Sequence, residues 1–288
     1  MNNNDFLITT LSKNKNIHGY FTSIKNSVTA LKNSHRMNII AATIFSRAMV
    51  GTTLLSGNLK NQPDYLSTAW NCTGLVKKIY TEATYQGIIR GFIEEPNPAF
   101  IEGSVYEGSI KAEPYIGFGE IIISRNSFDN RPPYNSVVVI ETGEIAQDIS
   151  IYLDQGLQIQ SALKIGFSAN KENEIEACGG LLLMAMPGAD EYELNDVYHA
   201  FESLGSLTDI LLEEDAKVNS MFNKLGLEIV NSKAIKFGCR CNEENIIEIL
   251  KSLGKDEIQR FIIDDKNVEV ECQYCGRKYV VDRNRIIN

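Results

Sequence analysis

Hydrophobic and polar positions change period several times along this chain. From 6 to 28 apolar and polar residues alternate, rich in Phe, Ile, Thr and Tyr, with His18-Gly19 as a break, which predicts two strands. From about Asn33-Ser34 onward a helix is expected, and 39–50 is apolar or small on most of its circumference. Such a helix is buried between layers, and Arg47, its one charge, needs a partner or a route to solvent. Strand-like runs follow at 64–70, 74–83, 87–93, 115–124, 135–141, 157–167 and 175–186, with weak patterning over 99–114. Ile145, Ile149, Tyr152 and Leu153 recur at helical spacing before Gly156. Gly179-Gly180 inside the last run predicts a central strand approached closely by other backbone. Strands do not alternate with helices, so 1–188 is expected to be an α+β domain with a large, mostly antiparallel sheet and a buried helix.

Beyond 188 the pattern becomes acidic and helical. Leu194, Val197, Phe201 and Leu204 make one apolar stripe; Leu207, Ile210, Leu211 and Leu212, then Val218, Met221, Phe222 and Leu225, continue it after the break at Gly205-Ser206. These are short amphipathic helices that depend on tertiary packing, and 189–232 is expected to be a helical linker. A strand then leads to Cys239. Asn242 is a candidate N-cap, with Glu243 and Glu244 in the first turn and Ile246, Ile249, Leu250 and Leu253 as the apolar face. A second short helix is expected over about 256–263, followed by a hairpin, so 233–288 forms a small module of its own.

That module carries four of the six cysteines. Cys239 and Cys241 lie one residue apart, Cys272 and Cys275 two apart, and thirty residues separate the pairs. Two tight pairs of thiols supply the closed tetrahedral ligand set of a zinc ion. Cys-x-x-Cys-Gly between strand-like runs has the form of a zinc knuckle, with Gly276 allowing backbone N–H groups to turn toward sulfur. The spacing fits a purely structural zinc site and a redox-active one alike, and four thiolates also suit an iron–sulfur cluster. No histidine is near: His18, His35 and His199 are scattered. Cys72 and Cys178 are isolated and expected to be small buried hydrophobes.

Composition narrows the function. A formal charge of −9 opposes a general nucleic-acid binder; the basic group Arg277, Lys278, Arg283 and Arg285 is small and fits solvated surface. The stretch 37–55 includes Asn38, Thr43, Ser46, Arg47, Thr52 and Thr53, which argues against a membrane span. The first residues lack the basic and apolar regions of a signal peptide, so the cytoplasm is the expected compartment and a disulfide framework is disfavoured. No phosphate-binding loop, nucleophile elbow or metalloprotease helix is present, and no enzyme activity is expected.

The cysteine pattern, Arg47-Ala48-Met49, Gly179-Gly180-Leu181, Pro187-Gly188-Ala189, Ser206-Leu207-Thr208 and Cys275-Gly276-Arg277-Lys278-Tyr279 together resemble the heat-shock protein 33 family of redox-switched bacterial chaperones, over essentially the whole chain. Arg240 between the first pair and the asparagine-rich start are the departures. The resemblance implies one zinc ion per chain held by Cys239, Cys241, Cys272 and Cys275, and an inactive reduced state. It implies that oxidation releases zinc and forms disulfides Cys239–Cys241 and Cys272–Cys275. It further implies an ATP-independent holdase for unfolded or oxidatively damaged clients, homodimeric when active. Leu194, Val197, Phe201, Leu204, Leu207, Leu211, Met221 and Phe222 would then be client-binding. The alternative is a structural zinc protein or nucleic-acid module without redox switching.

Overall fold

The computed structural model describes residues 4–106, 108–128, 131–213, 215–252 and 267–287. In chain order it has β1 (Phe6–Ser12), β2 (Ile17–Ser23), α1 (Lys25–Ser34), α2 (Ile39–Leu55), β3 (Asp64–Cys72), β4 (Lys78–Thr84) and β5 (Ile88–Ile93). The two-residue strands β6 (Val105–Tyr106) and β7 (Ser109–Ile110) precede α3 (Glu113–Ile116), β8 (Gly119–Ser127), β9 (Tyr134–Val139) and α4 (Ile145–Ile151). Then come β10 (Ser161–Ala169), β11 (Ile175–Ala185), α5 (Glu191–Glu202), α6 (Leu207–Leu212), α7 (Asp215–Lys224), β12 (Leu227–Ala234) and β13 (Lys236–Phe237). The last elements are α8 (Glu243–Ser252), β14 (Val268–Glu271), β15 (Lys278–Val281) and a helical turn Arg283–Ile287. The short helix expected over 256–263, with Leu253, lies outside the described residues.

Two large sheets dominate. One is antiparallel in the order β10-β11-β2-β1-β12; the other runs β13-β5-β4-β3-β8-β9, antiparallel except where β13 joins β5. Helix α2 packs against strands of both. By length and mean hydropathy, 1.5, the helix Ile39–Asn58 is apolar enough to cross a membrane, contrary to the expectation from its polar residues, yet 89% of its 18-residue apolar window is buried inside the fold. Arg47 finds the partners the sequence demanded: its Nη atoms donate to the Ile110 carbonyl at 2.7 Å and Ser109 Oγ at 2.9 Å, and Glu144 is 3.7 Å away.

The helix start was misplaced by the sequence. Asn38, not Asn33 or Ser34, caps α2, its Oδ1 accepting from the Ala41 N–H at 2.9 Å. Val28 belongs to α1 rather than to a strand: Ile24, Val28 and Leu31 are buried at helical spacing. The cap of α1 is remote, because the buried Asp5 carboxylate accepts from the Asn26 and Ser27 N–H groups at 2.9 and 2.6 Å. The strand expected at 115 begins at Gly119 instead. Pro114 opens the short helix α3, which Gly117 closes at φ 65°.

The middle strands of the five-stranded sheet, β11, β2 and β1, bury apolar residues on both faces. Leu7, Tyr20 and Leu182 face the core around α2, while Ile8, Phe21, Leu181 and Leu183 face a second core on the other side. Contacts divide the chain into a unit ending at Phe237 and one beginning at Gly238, so position 233, expected to open the small module, falls inside β12. The close approach at the glycines is present: a Cβ at Gly179 would stand 2.2 Å from the Thr22 carbonyl oxygen and 2.8 Å from Leu211. Gly179→Val should therefore lower unfolding free energy by about 3 kcal/mol in denaturant titration, the upper range for overpacking.

Candidate metal centre and apolar stripe

The small unit brings its four cysteines together. Their sulfurs all lie within 4.8 Å of one another, and they are the only group of this kind among the described residues. Cys239 Sγ is 3.7 Å from Cys272 Sγ and Cys241 Sγ is 3.4 Å from Cys275 Sγ. None is bonded to another. Four sulfurs each about 2.3 Å from a central ion stand about 3.8 Å apart, so the spacing suits a tetrahedral metal. The donor set, all sulfur, suits zinc or another thiophilic ion.

Local structure explains the placement. The Cys272–Gly276 turn joins β14 to β15, with Cys272 N–H donating to the Arg277 carbonyl at 2.9 Å. Gly276 takes φ 66°, but its own N–H goes to the Cys272 carbonyl at 2.8 Å rather than to sulfur. The backbone N–H of Arg277 serves Cys275 Sγ instead, and that of Cys241 serves Cys239 Sγ. On the other side Asn242 Oδ1 caps α8 at the Asn245 N–H, 2.7 Å, and the Asn245 amide donates to the Arg240 carbonyl at 3.3 Å. Ile246, Ile247 and Leu250 of α8 pack with Val268, Val281 and Ile286; Ile249, expected on that face, is 59% exposed.

The thiols differ in character. Partial burial opposes charge on Cys241, but hydrogen bonds from Tyr279 and the other three thiols outweigh it and draw its pKa down to about 7. Burial raises Cys239 and Cys275, and hydrogen bonding of their protons to neighbouring sulfurs adds to it. A divalent cation held by these four sulfurs would replace those protons, because coordinated thiols are deprotonated outright. Elsewhere burial pushes the Cys72 thiol up to about 12 and the wholly buried Cys178 thiol higher still, so both remain protonated and inert.

The apolar stripe belongs to the large unit. Phe201, Leu207, Met221 and Phe222 are buried, with Leu194, Val197, Leu204 and Leu211 packed partly buried around them. Their seat is the outer face of the five-stranded sheet. Phe222 meets Phe21 edge-on, centroids 5.6 Å apart. Gly166 and Gly179, cross-strand partners, leave a flat socket that α6 fills with Leu211 and the Thr208 backbone. Leu212, expected in the stripe, is 47% exposed.

The family model of the Hsp33 protein matches residues 5–282. The chain belongs to the Hsp33 family. It is 26% identical over 289 residues to the 33 kDa chaperonin of Thermoanaerobacter sp., spanning 98% of this chain and 96% of that protein. The 33 kDa chaperonin of Clostridioides difficile is 25% identical over 288 residues, 98% of this chain and 97% of the relative. The crystal structure of the Hsp33 homologue from Thermotoga maritima has the same fold, TM-score 0.87 at 20% identity, covering 99% and 97% of the two chains.

Sequence reasoning missed what fastens the stripe of this Hsp33-family chain. Lys164 Nζ donates to the Phe201 carbonyl at 2.8 Å and to the Glu202 carbonyl at 3.4 Å, and lies over the Phe201 ring at 4.8 Å. It thus neutralises the carbonyl end of α5. At the other end Glu193 accepts from the Asn16 and Asn14 amides at 2.5 and 3.3 Å. Only the alternation of Lys164 with apolar neighbours on β10 hinted at such a role. Between the fastenings a cleft of about 510 Å³ opens along α5, floored by Ile17, Leu183 and Met184 and walled by Leu194 and Val197. Lys164→Met keeps the stem but loses the charge-assisted bonds, worth about 1.4 kcal/mol. Amide exchange over 191–202 should quicken about tenfold while α6 is unaffected; unchanged exchange would show that Lys164 does not hold the helix.

Proposed function

We propose that this chain is a redox-regulated, ATP-independent holdase: closed while its four cysteines hold zinc, and opened by oxidation to bind unfolding proteins. The observation that carries the reading is the all-sulfur cluster within 4.8 Å in the small unit Gly238–Asn288, which has its own apolar core. Six side chains form that core among the described residues. Domains of this size rarely fold on burial alone. A bound zinc ion supplies a closed tetrahedral cross-link, worth about 10 kcal/mol or more, comparable with the whole stability of a small domain. The relatives' name, chaperonin, supports a binding protein rather than an enzyme.

The sulfurs perform the chemistry. A thiolate attacks one oxygen of a peroxide, forming an S–O bond as the O–O bond breaks and hydroxide departs. A second thiolate attacks the resulting sulfenic sulfur and closes a disulfide as hydroxide leaves. Fewer than four thiolates then remain, and the cluster releases its ion. We take the pairs to be Cys239–Cys241 and Cys272–Cys275, as the family resemblance implies. In the closed cluster Cys239 Sγ stands 3.7 Å from Cys272 Sγ and Cys241 Sγ 3.4 Å from Cys275 Sγ, contacts that cross the pairs, so peptide mapping of the oxidised chain decides the connectivity.

Chain continuity carries the signal. Gly238 follows directly on β13, whose pairing with β5 spans only Lys236 and Phe237. Before it lies β12, an edge strand mostly exposed, with Ile229 and Val230 at 50% and 63%. In this reading, unfolding of the cysteine unit frees the chain from Gly238 on, next to β13 and, before it, β12, on which α7 packs. The residues offered to clients are Leu194, Val197, Phe201, Leu204, Leu207, Leu211, Met221 and Phe222. The active form is a cytoplasmic homodimer in this reading.

Peroxide with mild heat should release about one zinc per chain, seen with a chromogenic chelator, and suppression of client aggregation should rise in step. Equal suppression by the reduced, zinc-loaded protein would end the switch reading. Cys272→Ser should bind zinc poorly and quicken amide exchange over 189–226 without oxidant; unchanged metal affinity would contradict the four-cysteine assignment.

A further inference from the structure

A tyrosine outside the cysteine set touches it. Tyr279 of β15 pairs with Val270 across the hairpin, and its hydroxyl donates to Cys241 Sγ at 3.1 Å. The Arg277 guanidinium is hydrogen-bonded to the same hydroxyl, which polarises its O–H toward sulfur. The bond spans the two halves of the ligand set, since Tyr279 follows the second cysteine pair and Cys241 belongs to the first. Cys239 and Cys275 receive their outside donors from backbone N–H groups, which no side-chain change removes.

The consequence is chemical. With an ion bound, all four sulfurs are thiolates, so ionisation no longer distinguishes them. What does is how much charge each retains. A hydroxyl donating to sulfur withdraws charge and lowers its nucleophilicity toward an electrophilic oxygen, as lower basicity does for thiolates generally. Partners of metal ligands typically change affinity or reactivity 10–100-fold.

We propose that Tyr279 is a positioning residue that holds Cys241 in the cluster and brakes its attack on peroxide, setting the oxidant level at which the cluster opens. This rests on the redox-switch reading. The braked step is the two-electron oxidation of Cys241: its Sγ bonds to one peroxide oxygen, the O–O bond breaks, and hydroxide leaves to be protonated to water. A neighbouring thiolate then displaces hydroxide from that sulfur and forms the disulfide.

The test uses the full chain with Tyr279→Phe, which keeps the ring. Peroxide-driven zinc release should be about tenfold faster than in the wild type, and mass spectrometry should find the earliest oxidation at Cys241 more often. In the cobalt-substituted, unoxidised protein the sulfur-to-cobalt charge-transfer band should move to longer wavelength, as an electron-richer thiolate requires. Val281→Ala, which loosens the same small core without touching the hydroxyl, should leave that band in place. An unmoved band and a release rate within twofold of wild type would overturn the proposal, as would equal acceleration by Val281→Ala with no band shift in Tyr279→Phe. If peroxide fails to release zinc from the wild type while the band still shifts, the switch reading falls and the contact of Tyr279 with Cys241 stands.

Discussion

A sheet that is apolar on both faces must be covered on both. β11 is the plainest case: Leu182 faces the core around α2, while Leu181 and Leu183 face outward into a second apolar cluster. One cover, α2, is a 17-residue helix locked between two sheets. The other consists of helices of 12, 6 and 10 residues, at or below the length at which isolated helices persist in water. They are helices because they are seated. Leaving the seat therefore exposes two surfaces at once, their own stripe and the floor formed by Ile8, Ile17, Phe21, Leu181 and Leu183.

The seating is uneven. α6 sits against backbone in the socket at Gly166 and Gly179, a contact that cannot loosen gradually. α5 spans a cleft and is held at its ends by Lys164 and by the Glu193–Asn16 contact. Polar fastenings of partly exposed groups are weaker than close packing, and water replaces them readily. The cover thus has a firm part and a lifting part, and under the proposed switch the chain past α7 adds a third point of release at β12.

Much of this was legible in the sequence. The buried helix showed in the unbroken apolar circumference of 39–50, the stripe in its spacing, and the cysteine cluster in two tight pairs. Arg47 announced that it needed partners, and Glu144, Ser109 and Ile110 supply them. What stayed hidden was non-local. Asp5 caps α1 from 21 residues away, so the start of that helix has no local mark. The period of 181–183 cannot say what lies on each side of a strand buried twice over. The exposed side of Leu212 and Ile249 follows from which neighbours each helix meets, and amphipathic spacing leaves that open by a residue or two. Tyr279 stood in view beside the knuckle, but only the hairpin register aims it at Cys241 rather than at solvent.

A sensor also has to be the part of the molecule that the oxidant finds. Six thiols are present, and reactivity belongs to the thiolate. Cys72 and Cys178 are held protonated by burial, the one at about 12 and the other above it. The cluster works the other way: hydrogen bonds draw Cys241 down to about 7, and although Cys239 and Cys275 lie high, a bound cation would ionise all four. Under the proposed switch, the coordination that would supply the folding energy of the small unit would also keep its sulfurs nucleophilic. Stability and vulnerability would then be placed on one set of atoms, and the first atoms oxidised would be those on which that unit's fold depends.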